Sequence, residues 1–540
     1  MDRRNFLTAL AALTTGACQP EAPLPPPTSR FVGYDPAYAH RLRSMRFPPP
    51  DDTRKHGVLI LGGGIAGLSA AWRLKRAGYT DFALYEMNEQ VGGNARAGGN
   101  VISRYPLGAH YLPLPPTEAR AVRTMLADLG VLRSGLTNVQ PEYDERYLCH
   151  APQERLYRNG KWQEGIVPAH DLTDEEATQM RSFFADMQRF KQARGTDGRR
   201  AFTVPRAYAS QDPLFTALDK LSMAKWMQQR GYTATPLHWY VDYACRDDFG
   251  TRHTQTSAWA GIHYFSCRSD SGELADVVLT APEGNGWITE ALSSRLQAHL
   301  NTEAMAIRMG QLPNGTPYAD VFLPLQDRTV RIEARQIICA LPLMVARRIW
   351  AERPSALDNY MRSLEYAPWL VANLSLRAEP RERSGAPPAW DNVLYDSPGL
   401  GYVNATHQSL RTRPGPTVLT YYLALADNPS ASRRLLLGRS HSEWSAEIIK
   451  ELTRLHPDLP NLVSEVEIAR YGHAMVQPRP GVVWSRERTA MLRAVAGRGP
   501  LHLAHSDMSG FSIFEEANYH GVHAAEAALR ALGKQGTSLL

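Results

Sequence analysis

The sharpest change in the rhythm of apolar positions falls at Val58 to Leu74, VLILGGGIAGLSAAWRL, where four apolar residues run into three glycines and then into an Ala/Leu-rich helical spacing. That order predicts a strand, a tight turn and a helix. A short apolar run at Phe82 to Tyr85 predicts a second strand. Further along, a strand pair is expected around Ala304 to Met309, and RTVRIEARQIICALP predicts a strand ending at Ala340 to Pro342. Near the C-terminus LHL predicts a strand ending toward Asp507, and EEANYHGVHAAEAALRAL carries helical spacing. Between these blocks, ALDKLSMAKWMQQRGY and HSEWSAEIIKELTRLHPDLP read as helices, while YAPWLVANLSLRA and TVLTYYLALA read as strands. The pattern predicts an α/β chain: a Rossmann-like domain assembled from separate segments, with an α+β domain of sheet and attached helices between them.

The glycines fall as Gly62, Gly64 and Gly67, the G-x-G-x-x-G spacing. The first permits the turn, the second lets backbone approach a pyrophosphate, and the third lets helix pack on strand. Ile65 and Ala66 open the helix, whose N-terminus would face the phosphates. Glu86 closes the second strand 19 residues past Gly67, near the ~20 expected of an acid that binds ribose hydroxyls. This fingerprint suits NAD and FAD equally. The next stretch, YEMNEQVGGNAR, separates them: Gly92 and Gly93 would let the chain double back over the dinucleotide, and Arg96 offers a fork of donors to its pyrophosphate. The alternative is a surface turn with a solvated arginine.

GGGIAGLSAA, the acid and VGGNAR together resemble the N-terminal FAD signature of the flavin amine oxidase superfamily, which includes phytoene-desaturase-like and protoporphyrinogen-oxidase-like enzymes. The chain departs from that pattern at Asn94, where the family usually has Arg. YPLGAHYLPLP is similar to the family's loop beside the isoalloxazine, which implies that Gly108, Ala109 and His110 lie at the flavin. PEGNGWITEAL is similar to a Gly-rich turn opening a helix that leads back into the FAD domain, with Met305 on the strand beyond it also at the cofactor. LAHSDMSGFSIFEEANYHG resembles the closing flavin motif, with Asp507 in place of the acid on the ribityl chain, Ser506 where Gly is common, and Glu516 and Ala517 at the helix that meets the ring. Without the resemblance, that helix reads equally well as a plain amphipathic one.

The resemblance implies an FAD-dependent oxidoreductase that takes hydride from a substrate C–H, oxidising a C–N or a C–C bond. Amine oxidases typically hold a lysine near the flavin; Val371 stands about where it would be, and no lysine occurs between Arg335 and Lys450. Electrons would pass to oxygen or to a redox carrier, and this absence favours a dehydrogenase or a desaturase over an ordinary oxidase. On the substrate side, Trp239 to Phe265 gathers Trp239, Tyr240, Tyr243, Trp259, Tyr264 and Phe265 with Asp242, Asp247, Asp248, His253 and His263. Aromatic faces with carboxylates can hold a cationic amine or polyamine; the alternative has Asp247 and Asp248 paired with Arg246 and Arg252, and the aromatics as core. Around RYGHAMVQPRPG, Tyr471 and Met475 are candidates to flank the substrate. His473 and His110 are the candidate catalytic groups. An amine-like substrate is the expectation, with an apolar desaturase or dehydrogenase substrate, or a flavin-loaded binding protein without turnover, as alternatives.

Composition limits what else the chain could be. At 540 residues with 43% apolar content it can bury a large core and should divide into domains. A net charge of +6, from 60 basic and 54 acidic residues, is mild and interleaved, with no basic run suited to nucleic acid. Cys149, Cys245, Cys267 and Cys339 form no C-x-x-C pair and no metal spacing, and Cys339 is expected in the core. MDRRNFLTALAALTTGACQP has the layout of an export signal. Arg3 and Arg4 before Phe6 and Leu7 resemble a twin-arginine signal, which carries folded proteins. Gly16, Ala17 and Cys18 resemble a lipoprotein cleavage site, with Thr15 where Leu is usual, so a periplasmic or exported protein is expected, either tethered through a lipidated Cys18 or with Cys18 discarded or unmodified. The expected domains are an export signal over 1–17, a Pro-rich linker over 18–55, an FAD-binding domain from 56–110, 280–345 and 490–535, and a substrate domain from 111–279 and 346–489.

Overall fold

The computed structural model describes residues 27–33, 35–44, 46–268, 277–409, 411, 413–496, 499–534 and 536–540. Its organising element is the strand Pro50–Leu61, which lies parallel between Phe82–Tyr85 and Arg328–Cys339. Leu501–Leu503 adds in parallel on the far side of Arg328–Cys339, and Leu300–Asn301 beyond Phe82–Tyr85. Register aligns Leu61 with Tyr85 and Cys339, and Cys339 with Leu503, so the carboxyl ends of four strands finish level. In an open parallel sheet this is where ligands bind. Both faces of the sheet are covered. Val58, Ile60, Leu84 and Ile338 pack under the helices Ile65–Arg76, Arg120–Asp128, Gly286–Leu296 and Phe514–Ala531. Leu59, Leu61, Ile337 and Cys339 pack under Leu343–Ile349, Ser355–Met361 and Arg486–Val495. That double burial is why these strands read as unbroken apolar runs.

A second, eight-stranded sheet runs in the order Thr28–Val32, Val463–Val476, Tyr366–Leu376, Thr417–Ala424, Tyr402–Asn404, Asp391–Leu394, Glu154–Arg158 and Lys161–Glu164. Against it stands a helical layer containing Asp174–Gln192, Met223–Gln229, Thr235–Phe249 and Ala258–Ser266, with its own core around Phe183, Trp226, Leu237 and Trp259. The helix Asp174–Gln192 starts at a capping box in which Thr173 and Glu176 satisfy each other's backbone N–H.

Two expected boundaries differ. Within 18–55, expected as linker, Thr28–Val32 is a parallel edge strand on Val463–Val476, Pro36–Ser44 is a helix, and Pro50 already opens the central strand. The Pro-rich composition that suggested a spacer ends at Pro27, and Phe31 and Val32 have a sheet to join. Within 111–279, Leu112, Val122, Met125 and Leu126 are fully buried in the core under the first sheet rather than in the substrate domain. Residues 1–26, which hold the expected export signal and Cys18, lie outside the described residues. The four described cysteines are free and buried, with Cys339 in the core.

Candidate active site

At the level ends of the strands the backbone folds into a cradle. Gly62 takes φ +100° and donates its N–H to the Tyr85 carbonyl at 2.9 Å. A Cβ on Gly67 would lie 1.9 Å from the Gly62 oxygen, so only glycine lets the helix Ile65–Arg76 sit this close to the turn. Gly64 is different, because a Cβ there would meet only the Gly93 Cα, at 4.0 Å. The return loop closes over it: Gly92 donates to the Gly63 carbonyl at 2.7 Å, and Arg96 is buried beneath with Nε 3.2 Å from the Gly93 carbonyl. The helix has no side-chain cap and no acid in its first turn. Ile65 and Ala66 thus begin a helix whose free N–H groups and dipole suit an anion.

Glu86 is buried at the rim, where Oε2 accepts the Gly63 N–H at 2.7 Å and Oε1 accepts the Asn88 N–H at 2.9 Å. Its backbone bonds to Asn301 and Ala304. Met305 follows on the strand Met305–Gln311 of the first sheet, where it is buried. Asp507, fully buried, sits past the end of Leu501–Leu503 and so on the same edge of the sheet as Gly62. Glu516 is engaged within the protein, accepting the Arg206 N–H at 2.6 Å and the Ser509 hydroxyl at 2.5 Å. Burial pushes its acid upward. Ala517, half-buried, lies one residue further into the helix. Gly521 lets that helix touch Ile65–Arg76, since a Cβ would lie 2.1 Å from the Ala66 oxygen. The open space at Gly64, the uncapped helix end and the buried arginine together fit the diphosphate of a bound FAD.

Gly108, Ala109 and His110 lead from the cradle into a second chamber. Ala109 is exposed, and the loop is pinned by Ala109 donating to the Asn94 carbonyl at 2.8 Å, Tyr471 Oη to the Leu107 carbonyl at 2.7 Å, and Tyr422 Oη to the Gly108 carbonyl at 3.1 Å. His110 stacks on Tyr422 with ring centroids 4.3 Å apart and lies 5.5 Å from Trp390. Trp239 packs against Tyr395 at 4.4 Å and Tyr243 at 5.7 Å. Tyr111 donates to Asp247 at 3.1 Å. Asp247, Asp248 and Asp391 share this space. Burial, then the charges of Asp247 and Glu154, pushes Asp391 well above its ordinary value; burial lifts Asp247 up to about 6 against the Tyr111 hydrogen bond and the Arg246 charge, and Asp248 to about 7 despite Arg268. Burial alone holds His110 at about 3, so it is neutral.

The expectations on the substrate side divide here. Trp239, Tyr243, Tyr471 and Met475 border the chamber's aromatic core. Asp242 does not: it is bonded by Arg252 at 2.8 Å and His253 at 2.8 Å and lies 3.2 Å from Arg246. Helical spacing explains this, because positions 239, 243 and 247 recur every fourth residue on one face of Thr235–Phe249, and 242 and 246 form another. The arginines expected to neutralise Asp247 and Asp248 are thus held by Asp242. His473 sits beside the Tyr366 ring, where burial and the charges of Arg433, Arg43 and His40 hold it at about 4. That is apart from the His110–Tyr422 wall. Tyr111, Trp390, Asp391 and Tyr422 complete the chamber without having been singled out. Only the four-residue spacing to Asp247 was visible in the sequence, since Asp391 and Tyr422 arrive through strand pairing.

Asp242→Asn is expected to cost about 3 kcal/mol by leaving buried Arg246 without its counter-charge. The thermal midpoint should fall by several degrees while the folded fraction keeps its full flavin content. Differential scanning fluorimetry and the flavin-to-protein absorbance ratio measure the two together.

No curated protein matches the chain. Solved structures do: a putrescine oxidase redesigned at its cofactor site covers 89% of this chain and 100% of its own, at 16% identity and TM-score 0.65. Cyclohexylamine oxidase from Brevibacterium oxydans IH-35A covers 88% and 99%, at 14% identity and TM-score 0.62. A fatty acid isomerase from P. acnes covers 88% and 98%, at 14% identity and TM-score 0.59. These share the fold. The family model for flavin containing amine oxidoreductases matches residues 65–529, and with the diphosphate cradle at one end of that span and the Asp507 helix at the other, the chain belongs to that family of FAD-dependent oxidoreductases.

Proposed function

We propose that the enzyme oxidises an amine carrying more than one cationic nitrogen, a polyamine-like substrate. The observation that carries this reading is the group of half-buried carboxylates, Asp248, Asp247 and Asp391, against aromatic walls. Among the described residues the nearest cations are committed elsewhere, Arg246 and Arg252 to Asp242 and Arg268 to Glu515. A cationic substrate would supply the missing charge, and Trp239, Tyr243 and Trp390 would cover its methylenes and ammonium groups. FAD, when bound, supplies the two-electron acceptor for hydride leaving the carbon beside nitrogen. The chain's own work is to hold that carbon at the Gly108–His110 loop, which Tyr422 and Tyr471 fix by hydrogen bonds, and to keep water out.

A second reading, a desaturase or dehydrogenase of an apolar molecule, is favoured by Val371, which is buried on Tyr366–Leu376 opposite Tyr422 where the resemblance places a lysine. Anaerobic bleaching of the flavin separates the two. Diamines and polyamines should reduce it at micromolar to millimolar concentration, roughly the usual range of KM. Reduction by unsaturated lipids with no response to amines would replace the amine reading, and reduction by dithionite alone would favour a binding protein without turnover.

We also propose export, from the paired arginines ahead of Phe6 and Leu7 and the Gly16–Ala17–Cys18 sequence. Replacing Arg3 and Arg4 by Lys should leave folded, flavin-loaded protein in the cytoplasm on fractionation; unchanged localisation would remove the signal from the account.

A further inference from the structure

Asp507 is held by more donors than a carboxylate needs merely to be buried. Oδ2 accepts the Leu343 N–H at 2.9 Å and the Tyr366 hydroxyl at 2.8 Å, and Oδ1 lies 3.0 Å from His505 Nδ1. Its backbone carbonyl accepts the Tyr360 hydroxyl at 2.9 Å. The direction of the Tyr366 bond is fixed, because an ionised carboxylate can only accept and the phenol supplies the proton. A carboxylate offers about four acceptor positions. Leu343 and Tyr366 both donate to Oδ2, while His505 Nδ1 accepts the Asp507 N–H at 3.2 Å, so Oδ1 keeps acceptor capacity for a ligand hydroxyl.

We propose that Tyr366 is a positioning residue for the cofactor: its hydroxyl on Oδ2 fixes the orientation and the ionised state of Asp507, so that Oδ1 is left to accept from a ribityl hydroxyl of FAD. The inference rests on the reading of Asp507 as the ribityl acid. Tyr366 is also the first residue of the strand that continues through Trp369 and Val371 into the chamber, so one phenol ties the cofactor's acid to the substrate sheet. The net effect of the donors is to hold Asp507 below its ordinary carboxylate range against the opposing effect of burial. The ionisable groups facing the pair are His505 beside the carboxylate, Tyr360 behind it with Arg488, Arg206 and Asp219 around that phenol, and His473 against the Tyr366 ring with Arg433 on the Tyr366 carbonyl.

The test is FAD affinity against pH, read by quenching of flavin fluorescence on titrating apoprotein. Tyr366→Phe should weaken FAD roughly 10-fold at pH 7 and move the midpoint of acid release up by about one pH unit. In Asp507→Asn, adding Tyr366→Phe should cause little further loss. Tyr360→Phe removes an equally buried hydroxyl from the backbone oxygen rather than the carboxylate, and should leave the midpoint in place even if it weakens binding. Wild-type affinity and midpoint in Tyr366→Phe, with weak binding in Asp507→Asn, would overturn the positioning role and leave the ribityl acid standing. Wild-type binding in Asp507→Asn would remove both. A midpoint shift shared by Tyr366→Phe and Tyr360→Phe would reduce the effect to general loosening and also overturn the proposal.

Discussion

Gly67→Ala is expected to purify colourless. The new methyl would lie 1.9 Å from the Gly62 carbonyl oxygen, well inside contact distance, and the obstacle is backbone rather than a movable side chain. Gly62 cannot retreat: it is held at φ +100° with its N–H on Tyr85, and its own Cα faces the Ala340 carbonyl. Relief must come from the helix Ile65–Arg76 moving away, which carries the free N–H groups of Ile65 and Ala66 off the diphosphate. Overpacking of this kind costs about 3 kcal/mol in stability, and loss of the helix-end contacts should weaken FAD by at least ~100-fold. Gly64→Ala separates the two effects. Its φ of −73° is open to any residue, and its Cβ has space in the protein. The apoprotein should therefore keep its melting temperature, yet the methyl would fill the cradle and FAD would be lost. Absorbance at the flavin band and melting curves of the apoproteins measure both; flavin retained in Gly64→Ala would mean that the diphosphate does not lie against this residue.

The contrast also explains what could be read in the sequence. The cradle was legible because its requirements are local: glycine at Gly62 and Gly67 follows from one turn meeting one helix, and the apolar runs follow from strands buried on both faces. The position of Asp507 was legible only through family resemblance, since nothing in the chain between Cys339 and Leu501 says that Leu501–Leu503 lies beside Arg328–Cys339. The substrate chamber was half legible. Trp239, Tyr243 and Asp247 share a helix face and could be found by spacing, but Asp242, adjacent in sequence, belongs to the opposite network with Arg246, Arg252 and His253. Asp391, Trp390 and Tyr422 arrive through sheet pairings that no periodicity reports. The edge strand Thr28–Val32 was missed for a related reason: Pro-rich composition upstream suggested a spacer, while its partner lies more than 400 residues away.

Asp247→Asn should leave flavin content unchanged and lower kcat/KM for a di- or polyamine roughly 100-fold, about 3 kcal/mol, because a desolvated ammonium would lose its carboxylate partner. Asp391→Asn should act in the same direction, and the two losses should not add, since the charge of Asp247 raises Asp391 and the two acids are coupled. The pH dependence gives a sharper test. Asp247 titrates near 6 and Asp248 near 7, both above the ordinary range, so each is a neutral acid at low pH and a carboxylate only as pH rises. An alkylammonium stays charged until about pH 10, so capture in the wild type should climb between about pH 5.5 and 7.5 and then level off. For stability the sign is opposite. A carboxyl whose folded value is raised contributes stability that is present below its unfolded value near 4 and is lost as pH rises through its folded value near 6 to 7. The apoenzyme should therefore lose this contribution between pH 4 and 7, Asp247→Asn should lose less of it, and a diamine should restore melting temperature at pH 8 but not at pH 5. A neutral lipid substrate would produce neither the rising profile nor the pH-dependent protection, so a flat response in both measurements would transfer the chamber to the apolar reading.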